Sequence, residues 1–517
     1  MSSPSFPGTL AGRHVHFIGA KGTGMAALAE IIAAKGAVLS GSDVPDTFYT
    51  DAILRSLGMR LSETFSAANL DGDIDLVVYS DAYSAATNPE MAEAARRGLP
   101  MFSFAQALGA LSRMSDSSGI AGVHGKTTTT AMVGTVLDAL ETPMTVLTGS
   151  AVSSFGGRCT LIRGDRCFVA ETDEYKRHFM HFSPRRILLT SVESDHQDFY
   201  PTYGDILAAF RDYVMLLPPG GLLVYCADDP GAVEVADFAK AERRDLRFAP
   251  YGFSAEGGWR IVDCSAQEGK TSFRVAGRQD PFELRVPGRH LVLDAVGALA
   301  LAADIAAGAQ DAALSTSQWN VAREALVGFK GSRRRSEIVG EAGGVLVMDD
   351  YAHHPTALKA TIAGIKEFWP SRRLIVDFMS HTYSRTIALM DEFAASLDAA
   401  DCVVLHDIYA SAREKPVLGV SGRDLFMKAK ARRPDLLDLT DHQALPIPGQ
   451  PGRPFMFYEA KHSDALEPLL PLLRDGDLFI TMGAGDNWKL GRALLDRLQR
   501  GGMAQGAGRD NAAAKKE

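Results

Sequence analysis

The chain has 517 residues, 46% of them hydrophobic and 23% charged, and carries a formal net charge of −9. That length suits three or four domains with enough apolar mass for several cores. With an acidic balance and no long basic run, nucleic acid is excluded as the main partner, and only local cationic sites for anionic ligands are left open.

Five scattered cysteines, Cys159, Cys167, Cys226, Cys264 and Cys402, form no C-x-x-C pair. They suit neither a disulfide framework nor a zinc site, and fit a reducing cytoplasm. The start, MSSPSFPGTLAGRHVHF, lacks the positive and apolar pattern of a signal peptide. No membrane span is expected, because the longest apolar candidate, LVLDAVGALALAADIAAGA from Leu291, carries two aspartates.

The first predicted strand, HVHFIG, runs into the glycine loop GAKGTGM and a helical segment. Gly19, Gly22 and Gly24 leave backbone free to approach a diphosphate at a helix N-terminus. Lys21 stands where a dinucleotide fingerprint has its second glycine, and a lysine there suits a phosphate. Asp43 falls about where an acidic residue meets a ribose hydroxyl. DLVVYS is the next clear strand of this block.

The second block begins with the strand SSGIAGV and the loop GVHGKTTTT, Gly122 to Thr130. The first glycine of a standard Walker loop would fall at position 120, where the chain has Ile120. The rest of the requirement is met: Gly122 and Gly125 for backbone N–H groups on phosphate, Lys126 for the outer phosphates, Thr127 for a hydroxyl on Mg²⁺. Two later strands end in acidic clusters, CFVAETDEY with Glu171, Asp173 and Glu174, and ILLTSVESDHQDFY with Glu193, Asp195, His196 and Asp198. Such residues at strand C-termini belong at the ligand crevice of a parallel sheet, and oxygen ligands suit Mg²⁺. GVLVMDD, RLIVDF, CVVLHD and DLFITMGAG supply the strands of a third block. The alternation of apolar strands and helical runs predicts an α/β protein with mainly parallel sheets.

GAKGTGM, GVHGKTTTT, ETDEYKRHF, VESDHQDFY, GFKGSRRR, DDYAHHPT, SHTYSRT and MGAGDNWK occur in the order seen in the Mur ligases, and the chain resembles that family over residues 13–498. The shortened loop G-x-H-G-K-T is characteristic of the family. The resemblance implies three domains: a Rossmann-like UDP-binding domain over 1–105, a central P-loop ATPase domain over 106–330 and a Rossmann-like C-terminal domain over 331–498. A tail, 499–517, is expected to be disordered. It implies a cytoplasmic, ATP- and Mg²⁺-dependent ligase, monomeric or weakly dimeric. Its substrates would be UDP-N-acetylmuramate and, by the EYKRHF and SAREK segments, L-alanine.

Further roles follow from the resemblance. Gly19, Lys21, Gly22, Thr23, Gly24 and Asp43 would hold the UDP-sugar. Gly122, His124, Gly125, Lys126, Thr127 and Thr128 would hold the ATP phosphates. Thr127 and Glu171 match ligands to one Mg²⁺ and His196 a ligand to another, while Glu174 would orient or deprotonate the amine. No lysine lies between His196 and Lys240, so the carbamylated lysine of several relatives is not expected. The family segment G-x-H-N-x-x-N keeps His290 but has Leu291 and Asp294 for its asparagines, which alters the expected adenine contacts. Arg334 and Arg335 match an arginine pair, one of which reaches the γ-phosphate. Asp350 would meet the ATP ribose, and Tyr351, His353, His381 and Arg385 the amino acid, with Arg385 on its carboxylate. The alternatives within the superfamily are a recycling ligase that adds a tripeptide and, less well matched, a folate-polyglutamate ligase. Outside it stands a UDP-sugar-binding relative without catalysis.

Overall fold

The computed structural model describes residues 5–267, 269–308, 313–410, 419–440 and 453–513, with side chains described up to residue 500. The SAREK segment and most of the loop LPIPGQPGRP lie outside the described residues. By internal contacts the chain forms two compact units, Met1–Cys264 with Ser272–Leu284 and Leu291–Ser332, and Ser265–Thr271 with Arg285–His290 and Arg333–Glu517.

The first unit holds two parallel α/β layers. Strands β1 (His14–Ile18), β2 (Val38–Ser42), β3 (Arg60–Ser62), β4 (Leu76–Tyr79) and β5 (Met101–Ser103) form a sheet in the order β3-β2-β1-β4-β5, every pair parallel. The order reverses between β1 and β4, so the loop after β1 opens at a topological switch point, where such sheets bind ligands. Val15, Phe17, Leu76 and Val78 enter one core cluster and Ile18 and Val77 another. Alternate residues thus face opposite covered sides, which is why these strands read as unbroken apolar runs.

The second sheet contains β6 (Asp116–Ala121), β7 (Met144–Val152), β8 (Arg158–Ile162), β9 (Cys167–Glu171), β10 (Arg186–Leu189), β11 (Leu222–Cys226) and β12 (Arg247–Tyr251), in the order β12-β11-β10-β6-β9-β7-β8. All pairs are parallel except β7–β8. Because β6 lies between β9 and β10, the loop after β6 emerges beside the ends of both. A separate three-stranded sheet is built from β13 (Ile261–Gln267), β14 (Lys270–Val275) and β15 (Phe282–Leu284).

The two large sheets of this unit share one core cluster. Helix Thr23–Ala34 presents Glu30, which accepts from Arg158 Nη1 at 2.5 Å and Thr160 Oγ1 at 2.8 Å. Helix Phe104–Ser112, closed by a Ser103–Gln106 capping box, runs through the 105/106 boundary expected from sequence. The chain therefore leaves the first block only after Ser112.

The second unit is a seven-stranded sheet of β16 (Glu337–Ala342), β17 (Val345–Asp350), β18 (Arg373–Phe378), β19 (Cys402–Leu405), β20 (Leu437–Asp438), β21 (Phe455–Tyr458) and β22 (Asp477–Met482), ordered β16-β17-β22-β18-β19-β21-β20. Only β16 is antiparallel to its neighbour. Its two faces bury alternate residues, Leu374, Val376 and Phe378 on one side and Ile375 on the other. The last helix, Trp488–Ala513, carries helical backbone into the 499–517 tail expected to be disordered. Its first turns are anchored by Leu490 and Leu494, packed in the core.

One helix among the described residues, Arg289–Ala307, is long and apolar enough to cross a membrane, with mean hydropathy 1.7, and 67% of its apolar window is buried in the fold. A core helix of a folded domain is placed in this way.

Candidate functional site

In the first sheet the loop after β1 is shaped by glycine. Gly19 has φ +80°, and a Cβ there would lie 2.7 Å from the Tyr83 ring. Gly22 caps helix Thr23–Ala34 without any side-chain cap, so the helix start is formed by Gly22, Thr23 and Gly24 backbone alone. Tyr49 Oη donates to Thr23 Oγ1 at 2.9 Å.

Two expected ligand residues of this loop are used internally. Asp43 is buried, and its carboxylate accepts from Lys21 N at 2.6 Å and Val44 N at 2.8 Å. It satisfies the loop's own donors, which a buried turn requires. Lys21 is also buried, and its ammonium donates to Val44 O at 2.9 Å and Asp46 O at 2.8 Å, with Asp51 Oδ1 at 3.6 Å. The lysine therefore braces residues 44–51.

In the second sheet Ile120, at the place of the missing Walker glycine, is a buried residue of β6. The turn begins at Gly122, with φ +140°, where a Cβ would stand 2.0 Å from Thr190 Oγ1. The end of β10 holds this turn. Val123 N donates to Ser191 O at 3.0 Å, His124 N to Ser191 Oγ at 2.9 Å, and Thr190 Oγ1 to His124 O at 2.5 Å. Thr190 and Ser191 carried no motif signal in the sequence. Gly125, at φ +80°, starts helix Lys126–Ala139.

Two clusters sit at that helix start. In one, Lys126 Nζ donates to Gly122 O at 2.5 Å and to both oxygens of Glu174 at 3.0 and 2.7 Å, while His196 Nε2 is 3.5 Å from Glu174 Oε1. Burial pulls the Lys126 ammonium toward neutrality, but Glu174, Asp173 and Glu171 outweigh it and raise its pKa. His196 is likewise raised: burial opposes its charge, and the Glu174 bond with Asp195 overcomes this. Its backbone is at φ +53°, its N donates to Asp195 Oδ1 at 2.7 Å, and its ring lies 4.8 Å from the Tyr175 ring. In the other cluster Thr127 Oγ1 donates to Glu171 Oε2 at 2.8 Å, and the same oxygen accepts from Gly149 N at 2.7 Å. A hydroxyl and a carboxylate beside phosphate-binding backbone form a hard-oxygen donor set that fits Mg²⁺. His196 belongs to the Lys126–Glu174 group, not to this pair.

His124 Nε2 is 3.0 Å from Glu193 Oε1. Thr128 is buried on the helix. Asp294, expected near adenine, is buried against the loop: its Oδ1 accepts from Thr129 Oγ1 at 3.1 Å and would lie 2.6 Å from a Cβ on Gly125. His290 stands at the start of helix Arg289–Ala307, in the other unit.

Within the second unit Arg334, at φ +59°, is fixed by Asp349 Oδ2 at 3.0 Å and Gly483 O at 2.6 Å, with its guanidinium over Tyr351. Burial, outweighing Arg334, pushes Asp349 up to about 6. Arg335 also lies over the Tyr351 ring, at 5.0 Å, and makes no ion pair among the described residues. Asp350, expected at the ATP ribose, accepts from Ser336 N at 2.6 Å through Oδ2 and from Ala352 N at 2.7 Å through Oδ1. A ring series then runs from Tyr351 to His353 (5.1 Å), His381 (6.4 Å) and Tyr409 (6.0 Å). Arg385 is buried beside it, and Nη1 donates to His381 O at 2.8 Å. Tyr409 was not read from the sequence; it follows β19 with no motif spacing to mark it.

Three family profiles match in sequence order. "Mur ligase family, catalytic domain" matches residues 14–115, "Mur ligase middle domain" 120–302, and "Mur ligase, glutamate ligase domain" 334–485. A UDP-N-acetylmuramate–L-alanine ligase of Treponema pallidum is 47% identical over 96% of this chain and 99% of its own length. One of Borrelia garinii is 35% identical over 92% and 97%. The crystal structure of UDP-N-acetylmuramate–alanine ligase from Thermotoga maritima is similar with a TM-score of 0.73 at 25% identity, covering 94% of this chain and 99% of that one.

Proposed function

This chain belongs to the Mur ligase family, and from that premise we propose that it joins L-alanine to the carboxylate of UDP-N-acetylmuramate, with ATP, in cytoplasmic synthesis of the peptidoglycan precursor. A carboxylate oxygen of the sugar attacks the γ-phosphorus of ATP and ADP departs. The amine nitrogen then attacks the acyl carbon, the tetrahedral adduct expels inorganic phosphate, and the ammonium proton is lost. The enzyme's task is to align donor, carboxylate and amine and to neutralise charge as it moves.

The observation that carries this reading is the Lys126 ammonium, kept charged at the helix start between Gly122 O and Glu174. There it would hold the outer phosphates and the transferring group. Exchange of Glu174 for phosphate as its partner frees that carboxylate to orient the amine. Thr127 and Glu171 would hold one Mg²⁺ and His196 would be a ligand to a second, on the carboxylate side; the ions would supply charge neutralisation on the phosphates. The uncapped start of helix Thr23–Ala34 suits the UDP diphosphate. Lys21 and Asp43 hold the loop in shape. In the second unit Arg335 is the arginine left to meet the γ-phosphate, Arg334 being bound within its own sheet. Arg385, His381, His353, Tyr351 and Tyr409 form the amine pocket, with Arg385 on the carboxylate.

The test is phosphate release from ATP with UDP-N-acetylmuramate, Mg²⁺ and a panel of L-alanine, glycine, L-serine and the tripeptide. Greatest stimulation by L-alanine is expected. Stimulation by the tripeptide alone would overturn the choice of amine.

A further inference from the structure

The ends of three neighbouring strands in the second unit are tied by a buried polar network that none of the assigned roles uses. Asp377 lies in β18, His406 directly follows β19, and Asn487 lies beyond β22. All three are buried. His406 Nε2 is 2.5 Å from Asp377 Oδ2, and its Nδ1 donates to Glu459 O at 2.9 Å. Asn487 Nδ2 donates to Asp377 Oδ1 at 2.7 Å and to Met482 O at 3.0 Å. Both ring nitrogens of His406 thus face acceptors, which suits the imidazolium. Burial opposes that charge, but Asp377 overrides it and holds the histidine above its ordinary pKa. An ion pair with satisfied hydrogen bonds in a core adds little net stability over apolar side chains, while it can fix one arrangement of its neighbours.

What it fixes is specific. Asp377 leads through Phe378, Met379 and Ser380 to His381, and His406 leads through Asp407 and Ile408 to Tyr409. Those segments are cross-bonded: His406 N to Phe378 O at 3.3 Å, Met379 N to Met482 O at 3.1 Å, and Tyr409 N to Ser380 O at 2.8 Å. The glycine turn before Asn487 is equally close, since a Cβ on Gly485 would meet Met379 Sδ at 2.5 Å and Tyr409 Cβ at 3.1 Å. The loops bearing His381, Arg385 and Tyr409 therefore stand on the network.

We propose that Asp377, His406 and Asn487 are positioning residues of the amine pocket, locking the three loops so that His381, Arg385 and Tyr409 keep the geometry that selects and orients the amine. The inference rests on reading those residues as the amine pocket. The test uses the full chain with both partners replaced by apolar groups, Asp377→Val/His406→Leu, which removes the tie without leaving a buried charge unpaired. The amine KM should rise about tenfold, with the ATP and UDP-sugar KM values within about twofold of wild type. An amine KM within about twofold of wild type, or a parallel rise in all three, overturns the proposal. Amide hydrogen exchange on the single variant His406→Gln gives a second readout. Residues 379–382 and 406–410 should exchange faster while β17 is unchanged; unchanged loops overturn it. If wild type prefers another amine, the proposed substrate fails and the inference is read on the KM of that amine. If no amine supports turnover, the exchange measurement alone decides the inference.

Discussion

Lys126 is the cation of the phosphate loop: its ammonium is half-buried, bonded to Glu174 and held charged by Glu174, Asp173 and Glu171. If it neutralises the transferring phosphate, Lys126→Ala should lower kcat by about 10³-fold and leave the UDP-sugar KM little changed. Steady-state kinetics check this, and a kcat within about tenfold of wild type would remove the lysine from the chemistry. The loop lysine and its helix were plain in the sequence, as were the carboxylates at the ends of β9 and β10. Asp43 and Asp350 are engaged within the fold for a common physical reason. An acidic residue at a strand end can face a ligand or accept from the turn it belongs to, and sequence does not distinguish the two. Both are buried with each carboxylate oxygen accepting from a neighbouring backbone N–H, while Asp294, within helix Arg289–Ala307, is buried with Oδ1 accepting from Thr129. His406 and Tyr409 were missed because a polar pair assembled across adjacent strands leaves no spacing signal along the chain.

At the level of elements, the phosphate loop shows why the Walker pattern is shortened here. Position 120 is still inside β6, so the turn has only Gly122 and Gly125 to reverse the chain, and Thr190 and Ser191 brace it from β10. Gly125 is fully constrained, with φ +80° and Asp294 Oδ1 2.6 Å from any Cβ. Gly125→Ala should raise the ATP KM at least about tenfold and lower the melting temperature. Adding Asp294→Ala would relieve the contact but not the backbone, so recovery should be partial. A wild-type ATP KM in the single variant would contradict this geometry. The strands themselves were legible as apolar runs because both faces of each sheet are covered. The first domain boundary is less legible, since helix Phe104–Ser112 runs continuously across residues 105 and 106.

On the scale of the whole molecule, the first two α/β layers behave as one unit, joined by a shared core and by polar contacts such as Glu30 with Arg158 and Thr160. His178 adds a pH-dependent link, 3.3 Å from Asp173 Oδ2 and 3.5 Å from Asp81 Oδ2. The Asp173 bond, against burial, raises its pKa above 6.5. Stability from protonated His178 is therefore fully present below pH 6.5 and lost as pH rises through the folded-state value. The melting temperature of wild type should fall over that range, and His178→Gln should flatten the fall; an identical slope in both would contradict the link. The proposed reaction turns on an acyl phosphate formed from the sugar carboxylate by ATP and discharged by L-alanine. Its most direct test is turnover of UDP-N-acetylmuramate carrying ¹⁸O at both carboxylate oxygens, with mass analysis of the phosphate and the amide product. An acyl-phosphate route puts one ¹⁸O in each phosphate released and yields an L-alanyl amide of the UDP-sugar. Unlabelled phosphate, or release without amide, would contradict it.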